Sequence, residues 1–497
     1  MRCLEAEDIV KELEEKGFLI SPRTLKLILN AENPREVADK LIEQADGFVI
    51  DVAELESLEK TKVESKKEVI VEKTLFHAIA KDIEADIKLI EKEVQTGEGT
   101  VEDFVQYFRN RYEKISAMLR KRAVPITRLL DVREKSNGKV RVIGMLSEKR
   151  LTKNGHVFIR LEDLVTSINA LVPANNRELI AKAERLMLDE VAAFDGRMSN
   201  GLFIINEIIE PDIESMRTVK TIDDDIIFAM LSDLHIGSKL FMKDNFGHML
   251  NWLKGRVGSE KDKQIASRVK YITIAGDICD GIGIYPGQEN ELEITDIYKQ
   301  YEVLEQYLVE EIPEYIHVVL IPGNHDAVRN ADPQPKLPKE LVPRLYEAEN
   351  VHLLGSPGWA ELHGFKLLLY HGTSLADFVS QLPHVTFEKP ELFMEEALKK
   401  RHVHPYFGGK PVIPQNEDIM VIEETPDIFH TGEAHHNAYC VYRGTVCISS
   451  GTWQETTEYQ TKQGHKATPA ILPIFEAKTG RIKSIHFDRE FSVEVVK

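Results

Sequence analysis

The sequence predicts an α/β protein whose largest domain is a layered sandwich of strands and helices, and three observations lead to this fold class. Strand and helix patterns alternate from about residue 222 onwards. Five apolar strand patterns in this region each end in a residue type that binds metal ions. Ahead of it, residues 125–215 contain short strand patterns interrupted by one helix, which is the order of a small barrel.

Residues 1–52 are predicted to form a small helical module. An amphipathic pattern ends at Gly17, and Ser21 and Asn33, each followed by proline, carry the start signals of two further helices. The pattern fits an interaction module and, equally, a helical cap that packs on the rest of the chain.

Residues 53–75 are rich in Glu, Lys and Ser with little apolar periodicity, which predicts a mobile charged linker. A helical connector is predicted over residues 76–124, with one helix over residues 76–94 and a second that begins after the N-cap Thr100. The second helix carries a concentrated basic run, which indicates either a solvated face or a contact with DNA phosphate or an acidic partner. Its members are Arg109, Arg111, Lys114, Arg120, Lys121 and Arg122.

The barrel predicted over residues 125–215 is a Greek-key barrel of the oligonucleotide-binding (OB) type. Its strand patterns are KVRVIGML, HVFIRLED, SINALVP and GLFIINEIIEP, with a hairpin turn at residues 153–155 and the helix RELIAKAERLML before the last strand. Barrels that read single strands present stacking aromatic rings, and few are available here, so subunit docking is favoured over DNA reading. The candidate rings, each of which also fits a core position, are Phe158, Phe194 and Phe203.

In the domain predicted over residues 216–497, five apolar strands deliver ligand-type side chains at their ends. The strands are IIFAMLSDLHIG, VKYITIAGD, IHVVLIPGNHD, FKLLLYHG and PDIFHTGEAHH. Because sites in open α/β sheets form outside the carboxyl ends of strands, we expect these side chains to meet in one crevice. They are Asp233, His235, Asp277, Asn324, His325, Asp326, His371, Glu433, His435 and His436. Two later hairpins, AYCVY with VCISS and AILPIFEA with IKSIHF, are predicted to extend the second sheet.

This set of side chains suits two divalent cations, which clamp an in-line displacement at phosphorus when they lie about 3.5–4 Å apart. Asp277 is the natural shared ligand because a carboxylate has two oxygens. Mixed imidazole, carboxylate and amide ligands favour Mn²⁺, with Mg²⁺ or Fe²⁺ as alternatives, over Ca²⁺. A metal-polarised water then serves as nucleophile, so no Ser or Cys nucleophile is required.

The blocks DLH, GD, GNHD, HG and a late G-x-x-H, in this order, resemble those of the calcineurin-like metallophosphoesterases. The segments DGIGIYPGQ and SSGTWQ, the second followed by TEYQ, are similar to one branch of that superfamily, the small subunits of archaeal family-D DNA polymerases. The resemblance covers the chain after about residue 100. It implies a calcineurin-like two-sheet sandwich over residues 216–497.

The resemblance also implies residue roles. His325 would act on the scissile phosphate, where it stabilises the transition state or protonates the departing sugar oxygen, and Asp326 would orient its imidazole. Asp280 and Tyr285, in DGIGIYPGQ, are candidates for the crevice or for DNA contact, although Asp280 fits equally well as a turn residue. By the family pattern, one metal site consists of Asp233, His235 and His435, and the other of Asn324 and His371.

The late motif departs from the family pattern G-H-x-H because Glu433 stands where the first histidine is expected. A glutamate binds hard or borderline cations, which would preserve the second site with an altered metal preference. Alternatively His430 or His436 replaces it, or the second site is weak.

The resemblance implies the small subunit of a two-subunit archaeal replicative DNA polymerase that carries 3′–5′ proofreading exonuclease activity on single-stranded DNA. The implied partners are a large catalytic subunit in a heterodimer, single-stranded or primer-template DNA and, as a further candidate, the sliding clamp. Two other functions stay open. A weakly active or inactive scaffold subunit is disfavoured by the nearly complete ligand set, and a stand-alone phosphatase or phosphodiesterase is disfavoured by the appended barrel and helical module.

Charge and cysteine content narrow the functional classes. The 497 residues include 82 Asp and Glu against 63 Lys and Arg, a net charge of −19 that argues against nucleic-acid binding by bulk charge. A local site is still compatible, because two divalent cations add about four positive charges. The four cysteines lack metal-binding spacing, which predicts reduced thiols, and no apolar run reaches the ~20 residues of a membrane span. We therefore expect a soluble cytoplasmic protein associated with the nucleoid.

Overall fold

The chain divides into two units, residues 1–75 and residues 76–497. The structure is a computed structural model. It describes residues 19–20, 22–29, 49–50, 76–94, 99–122, 125–132, 138–457, 460–461, 466–488 and 492–495.

In the first unit, two short strands, β1 (Leu19–Ile20) and β2 (Val49–Ile50), pair in parallel. Helix α1 (Pro22–Leu29) begins at the proline that was predicted to start it, since proline fixes the backbone for a first helical turn. The other two helices predicted for this module and the predicted linker of residues 53–75 lie outside the described residues.

The second unit contains a closed five-stranded barrel. Its strands are β4 (Val140–Leu151), β5 (Val157–Glu162), β6 (Ser167–Val172), β7 (Val191–Ser199) and β8 (Leu202–Ile209), in the order β4-β5-β6-β8-β7. Helix α3 (Arg177–Glu184) is capped by Asn176, whose side chain accepts a hydrogen bond from the Leu179 N–H. The sequence did not predict β7, because its buried Asp195 interrupts the apolar pattern; that carboxylate pairs with Arg141 on β4.

Two of the three aromatic rings considered for DNA stacking belong to the barrel core. Phe194 and Phe203 are fully buried there. Phe158 is half-buried, and the Arg150 guanidinium lies 4.3 Å from its ring centroid. Phe194 and Phe203 are therefore structural and cannot stack on a nucleic-acid base.

Helix α2 (Val101–Arg122) begins with a reciprocal cap. The Thr100 hydroxyl accepts from the Asp103 N–H, and the Asp103 carboxylate accepts from the Thr100 N–H, so both orphan donors are satisfied. The N-cap at Thr100 was predicted from the sequence.

Arg111 departs from the predicted basic face of α2. Its guanidinium is buried and donates to the Asp418 carboxylate at 2.8 Å and to the Tyr107 hydroxyl at 2.9 Å. The basic run was interpreted as a solvated face or as a DNA contact. Neither interpretation holds for Arg111, because the loop that carries Asp418 covers its guanidinium.

The remaining strands form two sheets. The first contains β9 (Ile227–Leu231), β10 (Val269–Ala275), β11 (His317–Ile321), β12 (Val351–Leu353), β18 (Ile471–Glu476), β19 (Arg481–His486) and β20 (Ser492–Val495), in the order β12-β11-β10-β9-β18-β19-β20. The second contains β3 (Ile87–Ile90), β13 (Gly358–Leu362), β14 (Phe365–Tyr370), β15 (Ile428–Thr431), β16 (Ala438–Tyr442) and β17 (Thr445–Ser449), in the order β16-β17-β15-β14-β13-β3. Strands β9 to β12 run parallel, as do β14, β15 and β17.

The two sheets pack face to face through a shared apolar core. Phe228 of β9 stacks on Tyr271 of β10 with ring centroids 5.1 Å apart, and it meets Phe365 of β14 edge-on at 5.4 Å. Helices cover the outer faces of both sheets. They are α4 (Lys243–Leu253), α5 (Glu260–Ala266), α6 (Ile297–Glu305) and α7 (Pro343–Glu347) on the first sheet, and α8 (Leu375–Gln381) and α9 (Pro390–Lys400) on the second. The predicted α/β class is confirmed as a mixed fold with several sheets and a five-stranded barrel.

Two secondary-structure predictions are wrong. The helix expected over residues 76–94 is instead a short 3₁₀ turn (Ile79–Asp82) followed by β3, because the apolar residues from Ile83 to Leu89 alternate with period two and face the sheet core. The two late hairpins do not both extend one sheet. The first joins the second sheet, whereas β18 pairs with β9 of the first sheet.

His404 is a buried histidine held between two carboxylates, Asp332 at 2.8 Å and Asp377 at 3.1 Å. Burial lowers its pKa, but the two carboxylates outweigh this effect and raise it from 6.5 to about 8. The stabilisation is therefore complete below pH 6.5 and is lost as the pH rises through 8. We expect the stability advantage of the wild type over His404→Gln to fall by about 2 kcal/mol between pH 6 and 9, measured by denaturant unfolding. Parallel pH profiles for the two proteins would contradict this assignment.

Within the described residues, no helix combines the length and the apolar character needed to cross a bilayer.

Candidate metal centre

Five strand ends from the two sheets converge on one site. In the first sheet, β9 leads into Asp233 and His235, β10 into Asp277 and β11 into Asn324. In the second sheet, β14 leads directly into His371, and β15 leads into Glu433 and His435. These strands are mutually parallel within each sheet, so their carboxyl ends share one edge, as expected from the sequence.

Strained backbone positions these side chains. Five of the residues at the strand ends have left-handed φ angles between 48° and 64°, a conformation that costs a non-glycine residue on the order of 1 kcal/mol. They are Asp233, His235, Asp277, Glu433 and His435. Glycines permit the close approach of neighbouring turns. A Cβ atom on Gly323 would lie 2.2 Å from Asp277 Oδ1, and one on Gly432 would lie 2.6 Å from Asp233 Oδ2.

The first cluster consists of Asp233, His235 and His435. The Nε2 atoms of the two imidazoles lie 3.1 Å apart, and His435 Nε2 lies 3.4 Å from Asp233 Oδ1. His235 Nδ1 lies 2.9 Å from the Asp280 carboxylate, to which it donates, and this leaves Nε2 with the lone pair that a metal ligand needs.

The second cluster consists of Asp277, Asn324, His371 and Glu433. His371 Nδ1 donates to the Ala275 carbonyl at 2.8 Å, which fixes the ring and its tautomer. Its Nε2 faces three oxygens: Asn324 Oδ1 at 2.9 Å, Glu433 Oε2 at 3.0 Å and Asp277 Oδ2 at 3.3 Å. A lone pair among three acceptor oxygens is repulsive unless a proton or a cation lies between them.

Three further observations indicate that these residues fit divalent cations. The buried Asp233 Oδ2 has no hydrogen-bond partner among the residues that the structure describes. Burial opposes ionisation of Asp277, yet the nearby imidazoles of His371, His325 and His235 hold its pKa below the usual range. Burial likewise opposes protonation of His371, but chiefly the Asp277 carboxylate raises the pKa of His371 well above its ordinary value. The carboxylates of Asp233 and Asp277 are therefore stabilised by positive charge placed between them, and a divalent cation would supply it.

His325 lies beside both clusters without joining either. Its ring meets the His235 ring edge-on with centroids 4.8 Å apart, and its backbone N–H donates to Asp277 Oδ1 at 2.8 Å. Its Nδ1 donates to the Asp280 carbonyl at 2.8 Å. This bond keeps a proton on Nδ1 and leaves Nε2 as the nitrogen that can gain or lose one.

Asp280 holds both functional imidazoles in place. Its carboxylate binds His235 and its carbonyl binds His325, and the Asp280 carboxylate also accepts from Gln288 at 3.2 Å and Gln454 at 3.3 Å. Asp280 is 2% exposed, so it lies within the site and is not a surface turn residue. Tyr285, from the same loop, lies with its ring centroid 6.4 Å from that of His325 and donates to Glu291.

Known proteins are similar in sequence to this chain over most of its length. Residues 228–440 match the family model for the B subunit of DNA polymerase alpha/epsilon. The chain is 37% identical over 493 residues to the DNA polymerase II small subunit of Archaeoglobus fulgidus, covering 96% of this chain and 97% of that protein. The protein of the same name from Methanothermobacter thermautotrophicus is 35% identical over 489 residues, covering 97% and 99%. The one from Methanocaldococcus jannaschii is 40% identical over 415 residues, covering 81% and 69%.

The chain belongs to the archaeal DNA polymerase II small-subunit family. This confirms the resemblance noted in the sequence.

In this member of the small-subunit family, Glu433 lies 3.0 Å from His371, and His430 does not replace it as a ligand. Both ring nitrogens of the buried His430 are engaged, with Thr273 at 2.9 Å and Ser450 at 2.7 Å. His436 Nδ1 contacts the Lys466 carbonyl at 3.1 Å. The alternative that His430 serves as a ligand is therefore wrong.

The sequence suggested that Asp326 orients the His325 imidazole, but in the structure Asp326 has other partners. Its carboxylate accepts hydrogen bonds from the backbone N–H groups of Ile278, Cys279 and Gly323 and from the Tyr301 hydroxyl. It therefore ties the turn after β10 to the turn after β11, and the Asp280 carbonyl takes the orienting role.

The exposed end of the basic run is remote from the metal centre. Lys121 and Arg122 line a surface cleft together with Lys366, which lies at the opposite end of β14 from His371. Arg120 is also exposed. Lys121 and Arg122 lie away from the crevice, because α2 ends beside the amino ends of the second-sheet strands, and a contact of this basic run with DNA stays a prediction.

Three glutamines that support the site were not predicted from the sequence. Gln288 and Gln454 bind Asp280, and Gln460 Nε2 lies 2.7 Å from His435 Nδ1. All three belong to the segments DGIGIYPGQ and SSGTWQ with TEYQ that carry the family resemblance. Their presence in those segments was the available signal.

Proposed function

We propose that this chain is the 3′–5′ exonuclease subunit of an archaeal family-D DNA polymerase and hydrolyses phosphodiester bonds of single-stranded DNA by a two-metal mechanism. The observation that carries the proposal is the pair of ligand clusters with Asp277 between them. Asp277 lies 3.3 Å from His371 of the second cluster, and with His235 of the first cluster and His325 it forms a group whose ligand atoms all lie within 4.8 Å.

The proposal assigns the two packed sheets to a calcineurin-like sandwich and the closed barrel to the OB type. The proposed domains are a helical module at residues 1–52, a linker at 53–75, a connector at 76–124, the barrel at 125–215 and the exonuclease domain at 216–497. One adjustment follows from β3 (Ile87–Ile90), which pairs with β13 and so belongs structurally to the sandwich.

Asp233, His235 and His435 would hold one cation, and Asn324, His371 and Glu433 the other, with Asp277 shared. Mn²⁺ is favoured by the mixture of imidazole and oxygen ligands, with Mg²⁺ or Fe²⁺ as alternatives. When bound, two such cations supply a polarised water and neutralise charge on the phosphorus oxygens.

The residues around the cations perform the remaining tasks. His325 is held by the Asp280 carbonyl at Nδ1 and would, in its protonated form, offer Nε2–H to the scissile phosphate or to the departing sugar oxygen. Asp280, Gln288 and Gln454 are positioning residues, because they keep two imidazoles at fixed angles. Asp326 fixes the turns that carry Asp277 and Asn324.

Family membership supports a heterodimer with a large catalytic subunit, since the relatives are named small subunits of a DNA polymerase. Single-stranded or primer-template DNA and the sliding clamp are the further proposed partners, which would place the protein at the nucleoid. The buried barrel aromatics Phe194 and Phe203 support a docking role for the barrel over a DNA-reading one.

The direct test is degradation of single-stranded DNA labelled at its 5′ end, with the purified chain alone and with the large subunit added. We expect a ladder of shortening 5′-labelled products that requires Mn²⁺ and stops on addition of EDTA. A 3′-phosphorylated mononucleotide analogue serves as the control substrate for phosphatase activity. Absence of DNA cleavage under every metal, even with the large subunit, would favour a scaffold subunit, and phosphate release without DNA shortening would favour a phosphatase.

A further inference from the structure

A surface cleft of about 700 Å³ lies away from the metal centre, where the end of α2, the segment after the barrel and the second sheet meet. Lys366 is the second residue of strand β14 and His371 follows its last residue. The cleft and the candidate metal centre are therefore separated by five residues of strand, roughly 16 Å. Six cationic side chains line this basic cleft. They are Lys121, Arg122, Arg217, Lys220, Lys366 and Arg401.

Arg401 is the unusual member, because its guanidinium is buried with 6% of the residue exposed. It donates to the Thr425 hydroxyl at 3.0 Å and to the Glu423 carbonyl at 2.5 Å, both uncharged acceptors. Its Nε has no hydrogen-bond partner, and no carboxylate pairs with it among the residues that the structure describes. Burial, and next the charge of nearby Arg122, lower the pKa of Arg401 to about 10, so the group stays charged at neutral pH.

The other cations of the cleft divide into two groups. Arg217 and Lys220 are paired with Asp427, and Lys366 is paired with Glu424. Lys121 and Arg122 are exposed and form no ion pair within the described part of the chain. Three cations of the cleft therefore have no carboxylate within ion-pair distance among the described residues. One of them, Arg401, is buried, where a charge without a close partner is expensive, although Asp212, Glu214 and Glu423 offset it in part.

We propose that the basic cleft binds the phosphate group of a small phosphorylated molecule, with Arg401 and Arg122 as its principal ligands. Guanidinium groups bind phosphate oxygens through paired N–H donors. Arg401 and Arg122 both line the cleft, and each terminal nitrogen of Arg401 keeps one N–H beyond its bond to Thr425 or Glu423. The three cations without an ion pair suit a phosphate dianion better than a singly charged carboxylate.

A small molecule fits the cleft better than a DNA backbone does. The same cleft is lined by five carboxylates, which repel an extended polyanion, whereas a single phosphate group can be bound by the N–H donors of Arg401 and Arg122. These carboxylates are Asp212, Glu214, Glu423, Glu424 and Asp427. The proposal does not depend on nuclease activity, because the two sites share no residue.

Calorimetric titration with inorganic phosphate and with deoxyadenosine monophosphate tests the proposal. The full chain is used as Asp277→Asn in EDTA, so that the metal centre contributes no phosphate binding. We expect saturable binding with one site per chain. Arg401→Gln should weaken it at least tenfold and Arg122→Gln at least threefold. Arg344→Gln, which removes an exposed arginine paired with Glu310 on the other sheet, should leave the affinity unchanged within twofold.

Because Arg401 also bonds Thr425 and Glu423, Arg401→Gln is first checked for an unchanged melting profile. If it does not fold, the exposed Arg122→Gln decides the question alone. Binding that is absent at millimolar phosphate, or that Arg122→Gln leaves unchanged, would overturn the proposal. If these substitutions instead weaken binding of single-stranded DNA while free phosphate is not bound, the cleft is a DNA-backbone contact and the proposal is likewise overturned.

Discussion

Asp277→Asn is expected to lower the rate of single-stranded DNA hydrolysis roughly a thousandfold, equivalent to ~4 kcal/mol of transition-state stabilisation. The carboxylate lies 3.3 Å from His371 of its own cluster, and it forms with His371 and Asp233 of the first cluster a group whose ligand atoms all lie within 4.8 Å. An amide of the same size keeps the shape but removes the negative charge that two cations would share. The rate is measured as loss of full-length 5′-labelled DNA in Mn²⁺.

Asp223→Asn is the matched control, since it makes the same chemical change at an exposed aspartate before β9. Its rate should equal that of the wild type. Residual activity of Asp277→Asn above a tenth of the wild-type rate would show that the shared carboxylate is not central to the reaction.

Arg111→Met is expected to destabilise the second unit by about 3–5 kcal/mol, because it leaves the Asp418 carboxylate buried without its cationic partner. Arg111 joins α2 to the loop of Asp418, and its guanidinium also lies 5.0 Å from the Tyr107 ring centroid. Methionine fills much of the volume but supplies no charge. The effect is measured as a shift of the denaturant midpoint for the full chain.

The control for this substitution is Arg109→Met, on the exposed face of the same helix two residues earlier. We expect its midpoint to lie within the error of the wild type. Equal midpoints for Arg111→Met and Arg109→Met would mean that the buried ion pair contributes nothing to stability.

The candidate metal centre was predictable because its side chains follow local patterns. Each of the five strands is a short apolar run that ends in a polar residue, and parallel strands end at one edge. The residue types at these strand ends were therefore sufficient to predict that Asp233, Asp277 and His371 lie together.

The features that the sequence did not reveal depend on contacts between distant segments. Strand β3 forms because β13, almost 270 residues later, offers it an edge, and the charged stretch around it looked helical in isolation. Asp326 adjoins His325 in sequence but binds the turn after β10, whereas Asp280, 45 residues from His325, orients it. Adjacency in sequence was therefore a poor guide to hydrogen-bonding partners.

The most direct test of the two-metal account is anomalous diffraction at the manganese edge from crystals of the chain grown with Mn²⁺. The account predicts two peaks, one bounded by Asp233, His235 and His435 and the other by Asn324, His371 and Glu433. In Glu433→Ala the second peak should weaken while the first remains. A single peak, or peaks away from the strand ends, would contradict the account.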